Sequence, residues 1–482
     1  NSVLANGEWF KIGVVQDGVY KVDYAFLKGL GLDIDSLDPR TIQLYGNGGG
    51  MLPFLNSKPR VDDLAENAIF VNGESDAKFD STDYLLFYGT AQTKWTYDDS
   101  LAVYRRQINY YSDTTYFFLT YGQQNGKRIQ NRSSVSGANY TVNSFDDYAS
   151  HEIEAVNFLK SGREWFGESM DNLNSSISFN INSPNIVGSD TVFFSGAFAG
   201  RSTNSTNNYF TVNINNNLIG NQPFLRVGTT AQDNYASLVA FTKTFSSSSP
   251  VFNVGVSMYS GDPSAQGWLN YIDLKFRRGL TASNVTGQMI FRDARSIGST
   301  NISEFNITAV QGNTKFVWDV SDLFNIVDQQ ITFSNGTVSF TTPTPELKTF
   351  VLFDNTMLLT PKSIGRIENQ NLHSLPVTNY LIVTNPLFLS AANELADFHR
   401  ANDNMSVTVV TTQQVFNEFS SGAQDVSAIR DFAKMFYDRA TSTADMPKYL
   451  LLFGDASYDN KYRLAANTNF VTSYQSPGSI NQ

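Results

Sequence analysis

Gly454-Asp455, directly after the apolar run Tyr449–Phe453, is the pair that local sequence places best for chemistry. The carboxyl end of a buried parallel strand is where open α/β sheets form their ligand crevices. Asp455 there could face a substrate or, with Asp459, contribute oxygen ligands to Ca²⁺. Turn chemistry alone also selects Gly and Asp after a strand, and a capping role is the simpler reading. The histidines His151, His373 and His399 have no partners at metal-ligand spacing. His399 lies late in a helical pattern beside Asp397 and Arg400, where the helix macrodipole favours a protonated imidazole. Glu164 and Glu168 flank Trp165, but a glycosidase needs its two carboxyls across a sugar, and Arg163 suggests an ion pair instead. Trp95, Trp165-Phe166 and Trp268 could stack on a glycan, although large aromatics belong more often to cores. Gly46-Asn47-Gly48-Gly49-Gly50 is followed by Met51-Leu52-Pro53 rather than Lys and Ser/Thr, so it reads as a tight loop and not a phosphate cradle. With no cysteine anywhere, the chain has no disulfide, no thiolate metal site and no thiol nucleophile of its own.

The elements that position these residues fall into three regions. Over 1–148 the pattern is mainly β. Runs at 9–15 and 19–22 flank Gln16-Asp17-Gly18, a hairpin signal. Asp23 can cap a helix over Tyr24–Leu30, with Gly31 as its left-handed stop. Further strands are expected at 42–45, 69–71, 84–88 and 116–121. Over 149–370 the pattern is all-β. Short strands at 177–181, 192–198, 209–214, 238–245, 252–258, 269–276, 288–291, 315–320 and Thr349–Phe353 are separated by Asn/Ser/Gly turns, as in a β-sandwich. In one of them Ile272, Leu274 and Phe276 alternate with Tyr271, Asp273 and Lys275, giving an inner and an outer face.

From Pro376 the period changes. Tyr380–Thr384, Val407–Thr411 and Tyr449–Phe453 are nearly continuous apolar runs, as in strands covered on both faces. Two helical patterns lie between them, one with Phe388, Ala391, Ala392, Leu395 and Phe398 on a face, the other with Ile429, Phe432, Ala433 and Phe436 behind an Asp425 cap. Strands alternating with helices predict parallel pairing through right-handed crossovers.

Composition bounds the function. Net charge is −11 with 16% charged residues, which disfavours nucleic acid as a partner and identifies a globular chain. No apolar run approaches the ~20 residues of a membrane span. The sequence shows no signal peptide at Asn1, and Gln482 follows the third apolar run closely; both ends read as edges of a fragment.

The stretch from Asn379 (NYLIVTNPLFLSAANELADFHRANDNMSVTVVTTQQVF, then KYLLLFGDASYDNKYR) resembles the opening of the gingipain-type cysteine peptidase domain, in particular its type IX secretion sortase branch. GEWFKIGVVQDGVYKVDYAFLKGLGL from Gly7, IQLYGNGGGMLP from Ile42, GREWFGE from Gly162, GWLNYIDLKFRRGL from Gly267 and IENQNLHSL from Ile367 resemble segments of the same branch in the same order. The resemblance implies a multidomain protein: a β-rich N-terminal domain (1–148), a β-sandwich domain (149–370) and the incomplete first part of a caspase-like α/β peptidase domain with a parallel sheet (376–482). It implies a cell-surface, outer-membrane-associated sortase that removes C-terminal signals from cargo and joins the new carboxyl end to lipopolysaccharide. The implied partners are an outer-membrane barrel shuttle, the other attachment-complex subunits, cargo signal domains and a lipopolysaccharide acceptor. The family's catalytic histidine sits in a Gly-His-Gly turn, whereas His151, His373 and His399 precede Glu152, Ser374 and Arg400. No catalytic, cofactor or metal residue therefore carries over to this chain. A non-catalytic surface adhesin or glycan-binding sandwich is the alternative from another class, and a secreted gingipain-like protease a third. Asp35-Ser36-Leu37, Asp99-Ser100-Leu101 and Asp190-Thr191-Val192 fit the glycosylation pattern associated with this lineage, beside generic sequons at Asn139 and Asn306.

Overall fold

The computed structural model describes residues 1–100, 102–312 and 315–480. They form two compact units. The first comprises Asn1–Asn131, Trp318–Asp328 and Phe353–Tyr474; the second comprises Arg132–Val317, Gln329–Leu352 and the segment from Gln475. The expected boundaries at 148 and 370 do not coincide with this division. Ser144–Glu152 pairs with Gln266–Gly279 along its whole length, so a cut at 148 would split a ladder. Lys362–Ile367 pairs antiparallel with Trp9–Val14, which places it in the first unit.

In the first unit, one sheet runs in the order Lys362–Ile367, Trp9–Val14, Thr115–Thr120, Gln43–Tyr45, Glu66–Asn67. A second runs Gly18–Asp23, Tyr84–Gly89, Phe70–Asn72. The expected hairpin is absent. Trp9–Val14 and Gly18–Asp23 belong to different sheets, and Phe10, Ile12 and Val14 meet Tyr20 and Val22 in one core with Leu85 and Phe87. Gln16-Asp17-Gly18 turns the chain in either case; burying two apolar faces against each other decides between sheet partner and facing layer. The helix Tyr24–Leu30 has its expected ends, with Asp23 accepting from the Phe26 N–H and Gly31 at φ 92°.

The α/β part of this unit has three parallel strands in the order Val407–Thr411, Tyr380–Thr384, Tyr449–Phe453. Helices Leu389–Asn402, Thr412–Phe419 and Val426–Arg439 connect them. The middle helix was not expected: its capping box, Thr411 with Gln414, is hidden in the β-branched run before it. Asp425 caps the last helix as expected, and Ile429, Phe432 and Phe436 are buried with Leu381 and Val383. On the other sheet face Ala392 and Ala396 pack on Ile382 and Val407. The first helix is rotated relative to expectation, and Phe398 is 57% exposed. Small alanines let the helix approach the sheet closely, which a phenylalanine on that face would prevent. Cover on both faces fails for the third strand. In Tyr449–Phe453, Tyr449, Leu450 and Leu452 are 54%, 46% and 37% exposed, because this strand lies at the sheet edge, beyond the helices packed on the centre.

The second unit is all-β, and it builds two cores where a single sandwich was expected. One lies between the sheet Ser144–Glu152, Gln266–Gly279, Thr191–Arg201, Ser237–Ser246 and the sheet Ser176–Asn182, Val251–Ser260, Asn208–Ile214, Asn217–Pro223. Ile272, Leu274 and Phe276 point into it as expected. Asp273, on the outer face, is nonetheless buried, since its strand is flanked on both sides. The other core gathers Val142, Phe291, Phe305, Phe340 and Phe350.

Candidate functional site

Within the first unit, a cleft of about 560 Å³ opens at the carboxyl ends of the parallel strands. Asn385 follows Tyr380–Thr384 into it, Thr412 follows Val407–Thr411, and Asn460, Asn469 and Phe470 come from the chain after Tyr449–Phe453. The opposite wall is the outer face and edge of the antiparallel sheet, with Lys11, Tyr116, Ile364 and Arg366. The sheet end is tied by Thr384 Oγ1 donating to the Phe453 carbonyl at 2.9 Å. Asp455 is exposed at this end, accepts from the Ala456 N–H at 3.0 Å and the Thr468 hydroxyl at 3.1 Å, and its carbonyl receives the Phe470 and Val471 N–H groups. Its observed role is to fold the chain back over the strand end.

Lys11 is the group that sequence reading missed. It stands between Phe10 and Ile12, where alternation reads it as an ordinary outward-facing residue. Its Nζ donates to Asn417 Oδ1 at 3.0 Å and to the Gly422 carbonyl at 2.9 Å, and lies 4.1 Å from the Tyr116 ring centroid. Burial lowers its pKa to about 7. Among the described residues no carboxylate pairs with it. The neighbouring cations are neutralised: Lys461 by Asp113 at 2.7 Å, Arg366 by Glu8 at 3.2 Å. Nothing in one sequence separates Lys11 from a solvated lysine; the distinction comes from the 412–425 segment packing over it.

The other candidates occupy different places. Asp459 is buried, with Arg463 on Oδ1 at 3.0 Å and the Leu464 N–H on Oδ2 at 2.8 Å, so both of its oxygens serve the loop. His399 pairs with Asp403 at 2.6 Å at its helix end. His151 stacks on Phe179 and pairs with Glu168 at 2.6 Å, so Glu168 is partnered by a histidine and not by Arg163. Burial raises the pKa of Glu164, with Arg163 opposing it. Trp165 and Trp268 are buried, the latter in an aromatic cluster with Phe158, Phe166 and Tyr235, and offer no exposed sugar platform. The glycine loop spends its N–H groups within the protein, Gly49 on Thr90, Gly50 on Gln92 and Leu52 on Asp425. A Cβ on Gly49 would sit 2.0 Å from the Ala91 carbonyl, so close packing accounts for that glycine. Asp190 is engaged with Arg295; Leu101 and the Asp35 side chain lie outside what the structure describes.

His373 does acquire partners that its spacing did not announce. Its Nδ1 meets Glu418 Oε2 at 2.5 Å and its Nε2 meets Asp62 at 3.1 Å. Burial opposes protonation, but the hydrogen bonds to Glu418 and Asp62 outweigh it and raise the pKa. Asp63, His373 and Glu418 place potential ligand atoms within 4.8 Å of one another. Glu418 already accepts from Gln370 and the Leu372 and His373 N–H groups, and Asp63 from Ser2 and Val3. Those inward-pointing protons suit a structural clasp and oppose a cation.

Residues 373–481 match Peptidase family C25. The whole chain superposes on the crystal structure of dimeric latent PorU from Porphyromonas gingivalis with a TM-score of 0.83 at 24% identity. The chain has the PorU fold, with part of a C25 peptidase domain. It spans 45% of the length of that PorU chain. The CBM36-1 domain of a xylanase from the Trinervitermes trinervoides hindgut metagenome aligns with 27% of this chain and 95% of its own at 12% identity, with a TM-score of 0.17. No curated protein matches. No helix among the described residues is long and apolar enough to cross a membrane.

Proposed function

We propose that this chain is part of a cell-surface sortase that removes C-terminal secretion signals from type IX cargo and joins the new carboxyl end to lipopolysaccharide. The observation that carries the reading is likeness to latent PorU over the full chain, joined to a C25 stretch that begins at residue 373. The chemistry is thiolate attack on a peptide carbonyl, an acyl-enzyme, and aminolysis in place of hydrolysis. The sequence holds no cysteine, and no histidine lines the cleft among the described residues. The nucleophile and its acid/base therefore come from outside these 482 residues. This portion supplies one wall of the cleft, the strand ends beside it and docking surface for an outer-membrane barrel and the other attachment subunits. Burial of Trp165 and Trp268 weakens the glycan-binding alternative.

The test is to express this chain and the complete gene product, add cargo carrying its C-terminal signal with lipopolysaccharide, and follow both ends by mass spectrometry. The complete protein cleaves and transfers, and this chain alone does neither. Cleavage by this chain would overturn the reading; cleavage by the complete protein that leaves only free carboxyl ends would indicate a protease.

A further inference from the structure

We propose that the cleft binds an extended peptide through a carboxylate group and that Lys11 is the residue that reads this charge. The inference rests on the reading of the cleft as the place where a peptide substrate enters. Its independent support is an imbalance of charge. A buried ammonium is expensive without a counter-ion, and among the described residues Lys11 Nζ meets the neutral acceptors Asn417 and Gly422 and the Tyr116 and Phe118 ring faces, with no carboxylate. The rim cations Lys461 and Arg366 are committed to Asp113 and Glu8. Glu418, on the helix that carries Asn417, is committed to His373. An incoming carboxylate would therefore find one uncompensated positive group inside the cleft.

The remaining lining indicates what carries the carboxylate. Asn460 Nδ2 and Asn469 Oδ1, buried without a hydrogen-bond partner among the described residues, offer a donor and an acceptor beside the exposed Gln413 amide, the complement of peptide groups. Lys362–Ile367 borders the cleft through Ile364 and Arg366 and has a strand neighbour on one side only. An extended segment can add to such an edge through main-chain hydrogen bonds, while side-chain pockets select its residues. The carboxylate can be a free C-terminus or an Asp/Glu side chain, since both present the same two oxygens.

The charge on Lys11 is itself adjustable. The groups facing it are Tyr116 from the adjoining strand, whose pKa burial raises, the neutral Asn417 and Gly422, and the two rim pairs. With the lysine titrating near 7, carboxylate preference is strong in mild acid and fades in alkali.

The experiment uses this chain and three acetylated Ala/Ser hexapeptides in calorimetric titrations at about pH 6 and pH 9. One peptide is amidated and uncharged, one has a free C-terminus, and one is amidated with a single internal Asp. The charged peptides bind about tenfold tighter than the uncharged one at the lower pH, as a charge-assisted hydrogen bond requires, and the preference shrinks at the higher pH. Lys11→Met, which keeps the apolar stem on Tyr116, abolishes the preference; Lys11→Arg retains it at both pH values. Thermal unfolding of each variant separates misfolding from lost recognition. A preference for only one charged peptide identifies the carboxylate source and supports the proposal. Equal binding of all three peptides, or a preference that survives in Lys11→Met, overturns the proposal and leaves the peptide-entry reading standing. Failure of every peptide to bind overturns both.

Discussion

Two buried cations show how differently this chain treats charge. Arg277, in the second unit, donates to Asp146 at 2.7 Å and Asp293 at 2.8 Å, and to the Ser144 carbonyl and hydroxyl. Burial would lower its pKa, but the two carboxylates outweigh that and raise it. Lys11, in the first unit, has no carboxylate partner among the described residues, and burial lowers its pKa. Arg277 has its counter-charges built into the same sheet and a neighbouring loop, and both its terminal nitrogens are satisfied within the fold. Lys11 is held by neutral acceptors at the wall of a cleft, an arrangement that makes structural sense when the missing charge arrives with a ligand.

The comparison breaks first at Arg277. Arg277→Met leaves Asp293 buried and Asp146 half-buried without their cation and should remove about 3–5 kcal/mol in urea unfolding. A loss near zero would mean that those carboxylates reach water and the two sites are not different in kind. Lys11 should show itself through pH. Its folded pKa lies below the unfolded value of about 10.4, so from pH 7 upward the unfolded state binds more protons and stability rises. Between pH 7 and 9 wild type should gain about 2 kcal/mol relative to Lys11→Met; parallel pH curves would place the ammonium in solvent.

Asp425 sharpens the same point with the opposite sign. Burial raises its pKa to about 6, against hydrogen bonds from Leu52 and Ser427. The folded state then holds its proton more tightly than the unfolded state. Stability is highest below the unfolded pKa of about 3.9 and falls as pH rises to 6. Asp425→Asn should remove that fall, a difference of about 2 kcal/mol by chemical denaturation at pH 4 and pH 7. The smallest effect is expected at His399, whose pair with Asp403 lies on a helix surface. His399→Ala should cost about 0.5 kcal/mol at pH 6, and a loss several times larger would show that its edge contact with Tyr380 matters more than its charge.

Period was legible in the strand Gln266–Gly279 but misplaced the buried face of the helix Leu389–Asn402. Ile272, Leu274 and Phe276 were placed inward by alternation alone, and Asp23 and Gly31 bounded their helix by cap chemistry. The hairpin at Gln16-Asp17-Gly18 failed because turn residues say that the chain reverses, not which strand it then pairs with. The helix Thr412–Phe419 failed because β-branched residues outweighed a capping box. Of the candidate site, the strand ends around Asp455 were foreseen, and Lys11 was not, since its environment is made by residues some four hundred positions away in the chain.

By itself, then, the sequence determined the absence of a thiol nucleophile, the change from β layers to parallel α/β near Pro376, and the position of the strand ends that open toward the cleft. These depend on composition, period and local caps, which act within a few residues. The tertiary structure alone decided that Lys362–Ile367 completes the N-terminal sheet, that Glu418 clasps His373, and that Lys11 lies half-buried in the wall of a cleft, with no counter-charge among the described residues. Burial and charge balance are properties of what long-range packing brings together, and no short window of sequence contains both partners.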